Sequence, residues 1–241
     1  MDTRGSVGLS LAPHSTQGRI MDMKSHWDSV YQAKLPEAVS WYAPHLWLSL
    51  HYARKAASWN DAAIIDVGGG ESTLVDDLLA QSYSNITVLD ISATALEVTQ
   101  HRLGALSSKV AWLVGDVLDV EFPVAAYDVW HDRAVFHFLT GDEQRQRYVE
   151  QVLRALKPGG HAIVGAFGPE GPEKCSGLPV ARYGPDALHA SFGAPFELVD
   201  SSIEVHQTPW GTPQQFAYCF CKRHDHDQPM HKLHEVVRRG Q

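Results

Sequence analysis

Short apolar runs rich in β-branched residues alternate along the chain with stretches whose apolar residues recur at helical spacing. The runs that predict strands are 62–67, 84–90, 110–114, 127–130 and 161–167. Helical spacing predicts helices over 46–58, from Ser72 to Leu79, over 93–103 and from Thr140 to Leu156. Strands that alternate with helices predict a doubly wound α/β domain with a mostly parallel sheet.

The last third of the chain has a different pattern. Residues 168–182 are rich in glycine and proline and predict a long loop, which in a compact domain is usually functional or disordered. Pro185 suits the first position of a short helix that runs to about Phe192. Residues 196–207 and 215–222 predict two further strands joined by a turn, which brings the expected sheet to seven strands.

Domain boundaries follow from the loss of apolar periodicity at both ends. Residues 1–24 predict a flexible leader and residues 224–241 a polar tail, so the folded domain is expected over 25–223. Ser25 and Asp28 resemble a capping box that would start the first helix. Four histidines at 224, 226, 231 and 234 lack the spacing of a structural zinc site.

Composition narrows the class of protein. A length of 241 residues with 44% hydrophobic residues fits one large globular domain. The net charge of −8 disfavours a nucleic-acid-binding surface, and no apolar run has the roughly 20 residues of a membrane span. Three cysteines and no signal-peptide core predict a reducing, cytoplasmic protein without a disulfide framework.

The candidate chemistry centres on the turn after the first predicted strand. Residues 62–72 read A-A-I-I-D-V-G-G-G-E-S, an apolar run that ends at Asp66 and is followed by three glycines. Glycines let a ligand approach the backbone closely, and the turn leads into a helix N-terminus. The next strand ends at Asp90, near the separation expected of an acid that binds ribose hydroxyls. These features predict a nucleoside site.

The details of the turn disfavour a dinucleotide. Glu71 would repel a pyrophosphate, and Ser72 stands where a third glycine is expected. The D-V-G-G-G-E-S pattern instead resembles motif I of the class I S-adenosylmethionine (SAM)-dependent methyltransferases. Ser72 is a mild departure from that motif. The resemblance implies a seven-stranded sheet with an antiparallel C-terminal hairpin, and SAM as cofactor.

Three later segments extend the resemblance, which runs from about Trp27 to Arg223. Residues 112–117 resemble the segment that meets adenine, and residues 127–133 the fourth strand and the loop that reaches the methyl group. Residues 153–160 resemble the family's L-K-P-G-G turn. The chain is also similar to a eukaryotic group that methylates lysines of elongation factor and citrate synthase.

Cofactor contacts follow from the turn and from the resemblance. In the resembling family the aromatic residues before the first strand form a lid over the cofactor, although they could simply pack on the sheet. The expected cofactor-binding residues are Trp27, Tyr31, Trp41, Asp66, Gly68, Gly69, Gly70, Ser72, Asp90, Ile91, Gly115, Asp116, Val117 and His131.

Candidate catalytic residues follow the fourth strand. His131 or His137 could remove a proton from the acceptor, and Arg133 could hold an anionic group. Structural roles are the alternatives: Arg133 could pair with Asp132, and His137 could face the core. Cys175 in the long loop is either a reactive thiol or an ordinary loop cysteine. Methyl transfer of this kind needs no metal.

Three functions stay open. The first is methyl transfer to a small-molecule nucleophile, possibly a thiol or sulfide, which an enclosing loop and the absence of a basic docking face favour. The second is methylation of protein lysine, which an acidic chain could support. The third is a non-catalytic SAM-binding module. The charge, and the lack of an N/D-P-P-Y/F motif after strand four, disfavour nucleic-acid methylation.

Overall fold

A computed structural model describes residues 16–225, with side chains described from Met23 onward. No helix among these residues has the length and apolarity needed to cross a bilayer. The helices are α1 (Thr16–Ala33), α2 (Trp47–Ala56), α3 (Leu74–Ala80), α4 (Ala93–Leu103), α5 (Asp142–Ala155) and α6 (Pro185–Ala190). The strands are β1 (Ala63–Val67), β2 (Asn85–Asp90), β3 (Val110–Val114), β4 (Tyr127–Arg133), β5 (Leu156–Phe167), β6 (Lys174–Cys175), β7 (Leu178–Pro179), β8 (Phe196–Gln207) and β9 (Pro213–Arg223).

Seven strands form one sheet in the order β3-β2-β1-β4-β5-β9-β8. Strands β1 to β5 run parallel, whereas β9 is antiparallel to both β5 and β8. The predicted fold class is therefore confirmed. The strand order reverses between β1 and β4, and in open α/β sheets ligands bind at such a point, beyond the carboxyl ends of the strands.

Adjacent residues of β1 face opposite layers, which is why the strand reads as a continuous apolar run. Ile64 packs into a cluster with α2, α3 and α4, and Ile65 packs into a cluster with α5 and α6. Both isoleucines are fully buried. A parallel strand covered on both faces has no solvent side, so it shows no alternation of polar residues.

The ends of the domain differ from the expectation. Helix α1 begins at Thr16, so Ser25 lies inside the helix and the capping box predicted at Ser25 and Asp28 is wrong. The last nine residues of the predicted leader are helical, and residues 1–15 lie outside the described part. Residues 226–241 of the predicted tail, with three of its histidines, lie outside it as well. In the described part, His224 donates its backbone N–H to the Pro195 carbonyl.

Two element boundaries inside the domain also differ from the sequence prediction. Gly141, rather than Thr140, is the N-cap of α5, and the Gly141 N–H donates to Gln144 Oε1 at 3.1 Å. Strand β5 begins at Leu156 directly after the helix, so the predicted turn at residues 158–160 lies within the strand run. The left-handed φ of +75° at Gly159 explains why glycine suits this position.

The loop at 168–182 is partly ordered by pairing. Strands β6 and β7 form a two-residue hairpin, and the loop is tied back by Ala181 N–H to the His137 carbonyl at 2.7 Å. Cys219 and Cys221 occupy β9 as buried strand residues, with their sulfur atoms next to each other. Cys175 is a free, buried thiol.

A buried hydrogen-bond chain behind β4 provides a stability test. Tyr148 donates its hydroxyl to Asp132 Oδ2 at 2.6 Å and accepts from Trp130 Nε1 at 2.9 Å. We expect Tyr148→Phe to lower the free energy of unfolding by about 1–3 kcal/mol, because it leaves a buried donor without a partner. Urea unfolding measures this, with Tyr42→Phe at a half-exposed tyrosine as control. Equal stability of the two variants would contradict a stabilising role for these buried hydrogen bonds.

Candidate active site

The glycine turn between β1 and α3 packs so closely against its neighbours that side chains are excluded. Gly68 has a φ of +69°, and a Cβ there would lie 2.0 Å from Val135 Cγ2. A Cβ on Gly70 would lie 2.7 Å from Asp90 Oδ2. The Gly68 N–H donates to the Leu89 carbonyl at 2.7 Å, which holds the turn against β2. The turn thus brings bare backbone against the carboxylate that ends β2.

A cavity of about 190 Å³ opens at this turn, which we name the main cavity. It lies at the carboxyl ends of the strands, as the sheet topology predicts. Its lining contains many predicted cofactor residues: Trp27, Tyr31, Trp41, Gly68, Asp90, Ile91, Gly115, Asp116 and Val117. The sequence did not single out several other lining residues: Met23, Val67, Leu89, Ala134, Val135, Phe138, Leu139 and Gln144.

Carboxylates line one end of the main cavity. The Ser92 N–H donates to Asp90 Oδ1 at 2.8 Å, and the Leu118 N–H donates to Asp116 Oδ1 at 2.9 Å. Burial raises the pKa of Asp90 to about 7, against a usual value of 3.8. A buried carboxylate beside bare backbone suits a ligand that donates hydroxyl hydrogens, as a ribose does.

Aromatic rings also line the main cavity. The ring centroid of Trp27 lies 5.9 Å from that of Trp41 and 5.2 Å from that of Phe138, and Tyr31 lies 6.1 Å from Trp41. These rings pack on one another and also line the main cavity, and their predicted role as a lid over the cofactor stays a prediction. Because Phe138 comes from the turn after β4, the wall joins α1 to the sheet.

A smaller cavity of about 40 Å³ lies beside the turn, which we name the polar cavity. It shares Tyr31, Trp41, Gly68 and Arg133 with the main cavity. The predicted residues Asp66, Ser72 and His131 line this second cavity rather than the main one. Gly69 and Gly70 line neither cavity and serve as the backbone of the turn.

His131 and Asp66 form a buried pair in the polar cavity. The register places Asp66 beside His131 on neighbouring strands, and His131 Nδ1 donates to Asp66 Oδ1 at 2.7 Å. In the neutral ring with Nδ1 donating to the carboxylate, Nε2 is an acceptor. Among the described residues, neither Nε2 nor Asp66 Oδ2 has a hydrogen-bond partner. His131 is therefore held in one orientation with a free acceptor atom.

Glu71 was missed as a site residue. It is 5% exposed, lines the polar cavity, and neither of its carboxyl oxygens has a hydrogen-bond partner in the described part of the chain. Burial raises the pKa of this carboxyl to about 7. The signal in the sequence is an acidic residue directly after three glycines.

Arg133 is held between the two cavities. Its Nε donates to the Tyr218 hydroxyl at 3.0 Å, its Nη1 donates to the Trp41 carbonyl at 3.3 Å, and its guanidinium lies 4.1 Å from the Phe216 ring centroid. Its acidic neighbour is Glu204, at 3.6 Å from Nη2.

The alternative pairing of Arg133 with Asp132 is wrong. Asp132 instead accepts the Val135 N–H at 2.8 Å, the Phe136 N–H at 3.0 Å and the Tyr148 hydroxyl. Asp132 therefore braces the loop after β4 from behind, while Arg133 faces the cavities.

His137 faces the core, which is the structural alternative to its predicted catalytic role. It is fully buried, its ring lies 4.5 Å from that of Phe167, and its Nδ1 accepts the Phe167 N–H at 3.3 Å. Burial lowers the pKa of His137 to about 3, so the ring stays neutral. It lines neither cavity.

Cys175 lines the main cavity, at the hairpin of the long loop. Burial raises the pKa of its thiol to about 11. Because the thiolate is the reactive form, this thiol is not activated at neutral pH. The Cys175 sulfur contributes a polarizable atom to the wall of the main cavity.

Residues 64–160 match the family model described as a methyltransferase domain. Two curated relatives are human EEF1A lysine methyltransferase 2 and bovine eEF1A lysine and N-terminal methyltransferase. The first is 22% identical over 66% of this chain and 78% of its own length, and the second 27% identical over 57% and 20%. The chain therefore spans only about a fifth of the bovine protein. The chain thus contains a segment similar to a methyltransferase domain, set in a sheet of the class I methyltransferase fold.

Solved structures agree with this methyltransferase domain in fold. One, solved for the conversion of a disulfide bond into a thioacetal group during echinomycin biosynthesis, has a TM-score of 0.69 and 21% identity over 90% of this chain and 99% of its own. Another is the 1,6-didemethyltoxoflavin-N1-methyltransferase of Burkholderia thailandensis with bound S-adenosylhomocysteine, with a TM-score of 0.59 and 17% identity over 91% and 94%. SAM is the cofactor of the methyltransferase domain, and the buried, unpartnered atoms beside the glycine turn fit such a polar ligand.

The raised pKa of Asp90 predicts a pH dependence of cofactor binding. We expect the dissociation constant for S-adenosylhomocysteine to rise by up to about tenfold per pH unit below pH 7, because a protonated Asp90 accepts ribose hydroxyls poorly. Asp90→Asn should flatten this profile and weaken binding at pH 8 by about 1–3 kcal/mol. Calorimetry between pH 6 and 8 measures both effects.

The same carboxyl has the opposite effect on the stability of the free protein. The folded state binds the Asp90 proton more tightly than the unfolded state, so the contribution of Asp90 to folding stability grows as the pH falls from about 7 towards 3.8.

For the binding experiment, unchanged affinity and an unchanged pH profile in Asp90→Asn would contradict the site assignment.

Proposed function

We propose that this domain transfers the methyl group of SAM to a small-molecule acceptor, with a thiol or hydrosulfide as the favoured class. The adenosine lies towards Asp90 and Asp116, and the acceptor enters against the aromatic wall. A cytoplasmic location is part of the same proposal. The observation that carries the choice of acceptor is the buried guanidinium of Arg133 at the edge of the main cavity.

The chemistry of the lining explains this choice. The carboxylates that line the main cavity are those assigned to the nucleoside, and its thiol has a pKa of about 11, so no lining side chain is left to serve as a base. An aliphatic thiol ionises near pH 8.5, whereas a lysine ammonium has a pKa of about 10.4. A guanidinium favours a bound thiolate and opposes a bound ammonium. An acceptor that ionises by itself therefore suits this cavity.

The protein's own part is positioning. SAM would be held by the residues at the glycine turn and by Asp90 and Asp116, and would supply an electrophilic methyl group for the acceptor, with S-adenosylhomocysteine as the other product. Trp27, Trp41 and Phe138 exclude water and offer ring faces that attract a sulfonium cation. Arg133 orients the anionic acceptor in line with the methyl group.

Methylation of a protein lysine is the second candidate. The observation that favours it is the naming of the curated relatives, which are lysine methyltransferases of eEF1A. The structural relative connected with a disulfide and a thioacetal favours sulfur chemistry instead. A non-catalytic SAM-binding module is the third candidate, and it has no specific observation in its favour.

The deciding experiment is release of S-adenosylhomocysteine from SAM by the purified chain. The panel contains hydrosulfide, 2-mercaptoethanol and 2-aminoethanethiol, beside a protein lysate with labelled SAM. Turnover on a small thiol supports the proposal. Label in a protein band with no thiol turnover supports the lysine alternative, and cofactor binding without turnover in either arm supports the binding module.

The role of Arg133 gives a specific prediction. We expect Arg133→Gln to lower kcat/KM for a thiol by about 10–100-fold at pH 7, because the thiolate loses its counter-charge. Much of this loss should be recovered at pH 9, where the free thiol ionises without help. The kcat/KM of Arg133→Lys should lie between those of the wild type and Arg133→Gln, since lysine keeps the charge and loses the planar guanidinium.

Arg54→Gln, at an exposed arginine on α2, is the matched control and should leave kcat/KM unchanged. A loss in Arg133→Gln that is the same at pH 7 and pH 9 would contradict a role in thiolate binding and leave only a structural one.

A further inference from the structure

Strand β8 is an edge of the seven-stranded sheet and is unusually long for one. It has twelve residues and pairs with β9 on one side, and no described strand pairs with its other side. The opposite edge strand, β3, has only five residues and directly follows Lys109. Natural proteins shorten an edge strand, charge it with lysine or cover it, because its free backbone groups can pair with another chain. A long unpaired strand therefore indicates a partner.

Residues 201–207 lack the usual protection of an edge strand, and we name their unpaired side the β8 edge. A bulge interrupts β8 between Leu198 and Asp200, but beyond it the register with β9 is regular up to Gln207. Residues 201–207 include no proline, glycine, lysine or arginine. Ile203 is 47% exposed and Val205 57% exposed, and the two point to the same face of the sheet.

The acidic residues of β8 are turned towards their own chain. Asp200 accepts a hydrogen bond from Lys55 Nζ at 2.8 Å, and Glu204 lies 3.6 Å from Arg133 Nη2. By the alternation of a strand, both acids belong to the face opposite that of Ile203. Their charges are thus partly balanced within one copy and do not by themselves close the edge.

Charge selects one way in which the β8 edge can pair with itself. In antiparallel pairing about a two-fold axis, an axis at Ser202 sets Asp200 opposite the partner's Glu204. An axis at Glu204 sets this carboxylate opposite the partner's Glu204. An axis at Ile203 instead sets Asp200 opposite the partner's His206, and Ser202 opposite the partner's Glu204. Like charges directly opposite each other are destabilising, so the axis at Ile203 is favoured.

The apolar side chains favour the same axis. It sets Ile203 opposite the partner's Ile203, and Val205 opposite the partner's Ser201, all on one face, so the exposed side chains of the two copies cover each other. An axis at Ser201 would run the pairing into the bulge, and an axis at Val205 would run it past the end of β8 at Gln207. Such two-fold, self-complementary contacts are the commonest form of soluble oligomer.

We propose that the β8 edge is a dimer interface, on which a second copy of this chain pairs antiparallel with its own β8 about an axis at Ile203. The two seven-stranded sheets then form one continuous sheet. The proposal does not depend on the identity of the methyl acceptor.

Sedimentation velocity of the full chain tests the association. We expect the dimer to predominate at about 200 µM and to dissociate towards about 1 µM, because a single strand pair is a small interface. Ile203→Lys places two like charges at the axis and should weaken the dimer at least about 10-fold. Val124→Lys, at a 71% exposed valine between β3 and β4, is the matched control and should leave it unchanged.

Introduced cysteines test the register, and they report even if Ile203→Lys fails to fold. Directly opposite residues of antiparallel strands have Cα atoms about 4.5–5.5 Å apart, which a disulfide can span. We therefore expect Ile203→Cys to form a covalent dimer with diamide as oxidant. In Val205→Cys the two new thiols lie four residues apart along the strands, roughly 14 Å, and should not cross-link. The wild type, whose three cysteines are buried, measures the background.

Three results would overturn the proposal. A chain that stays monomeric at about 200 µM would leave the β8 edge to another occupant, such as a different protein or an end of this chain outside the described residues. A dimer that Ile203→Lys leaves intact would have its interface elsewhere. Cross-linking of Val205→Cys as readily as Ile203→Cys would exclude the axis at Ile203.

Discussion

The close approach of bare backbone to two buried carboxylates at the end of β1 is the constraint on which the site depends. The turn brings Gly70 against Asp90, and Gly69 lies next to Asp66, so a side chain at either glycine would occupy the space of a carboxylate oxygen. Parallel pairing of β1 with β2 and β4 then fixes where the acids and His131 lie relative to one another. The positions of most polar groups in the site are thus fixed by the sheet register and by the three glycines of the turn, which have no side chains.

This arrangement costs stability in the free protein. Asp90 and Glu71 are buried deeply enough that the pKa of each carboxyl rises to about 7, and the oxygens of Glu71 have no partner. A core selected for stability alone would replace such groups or satisfy them. Asp132, behind β4, accepts three hydrogen bonds, although burial raises the pKa of its carboxyl to about 6 as well.

The sequence predicted those parts of the fold that local pattern controls. Helix α4 and strands β3 and β8 have the bounds expected from apolar periodicity and from the Ser92 cap, which accepts the Ala95 N–H at 3.3 Å. The start of α1 was missed because residues 16–24 show no amphipathic pattern. The β6–β7 hairpin was missed because a two-residue pairing leaves no periodic signal.

Residue roles were harder to predict where they depend on long-range packing. Asp90, Asp116 and Trp27 line the main cavity, where their positions at strand ends or in a motif led us to expect them. His131 and His137 were both candidate bases in the sequence, but His137 faces Phe167 in the core and His131 pairs with Asp66. Which way a side chain after β4 points is decided by β5 and by the long loop, and local sequence does not encode this.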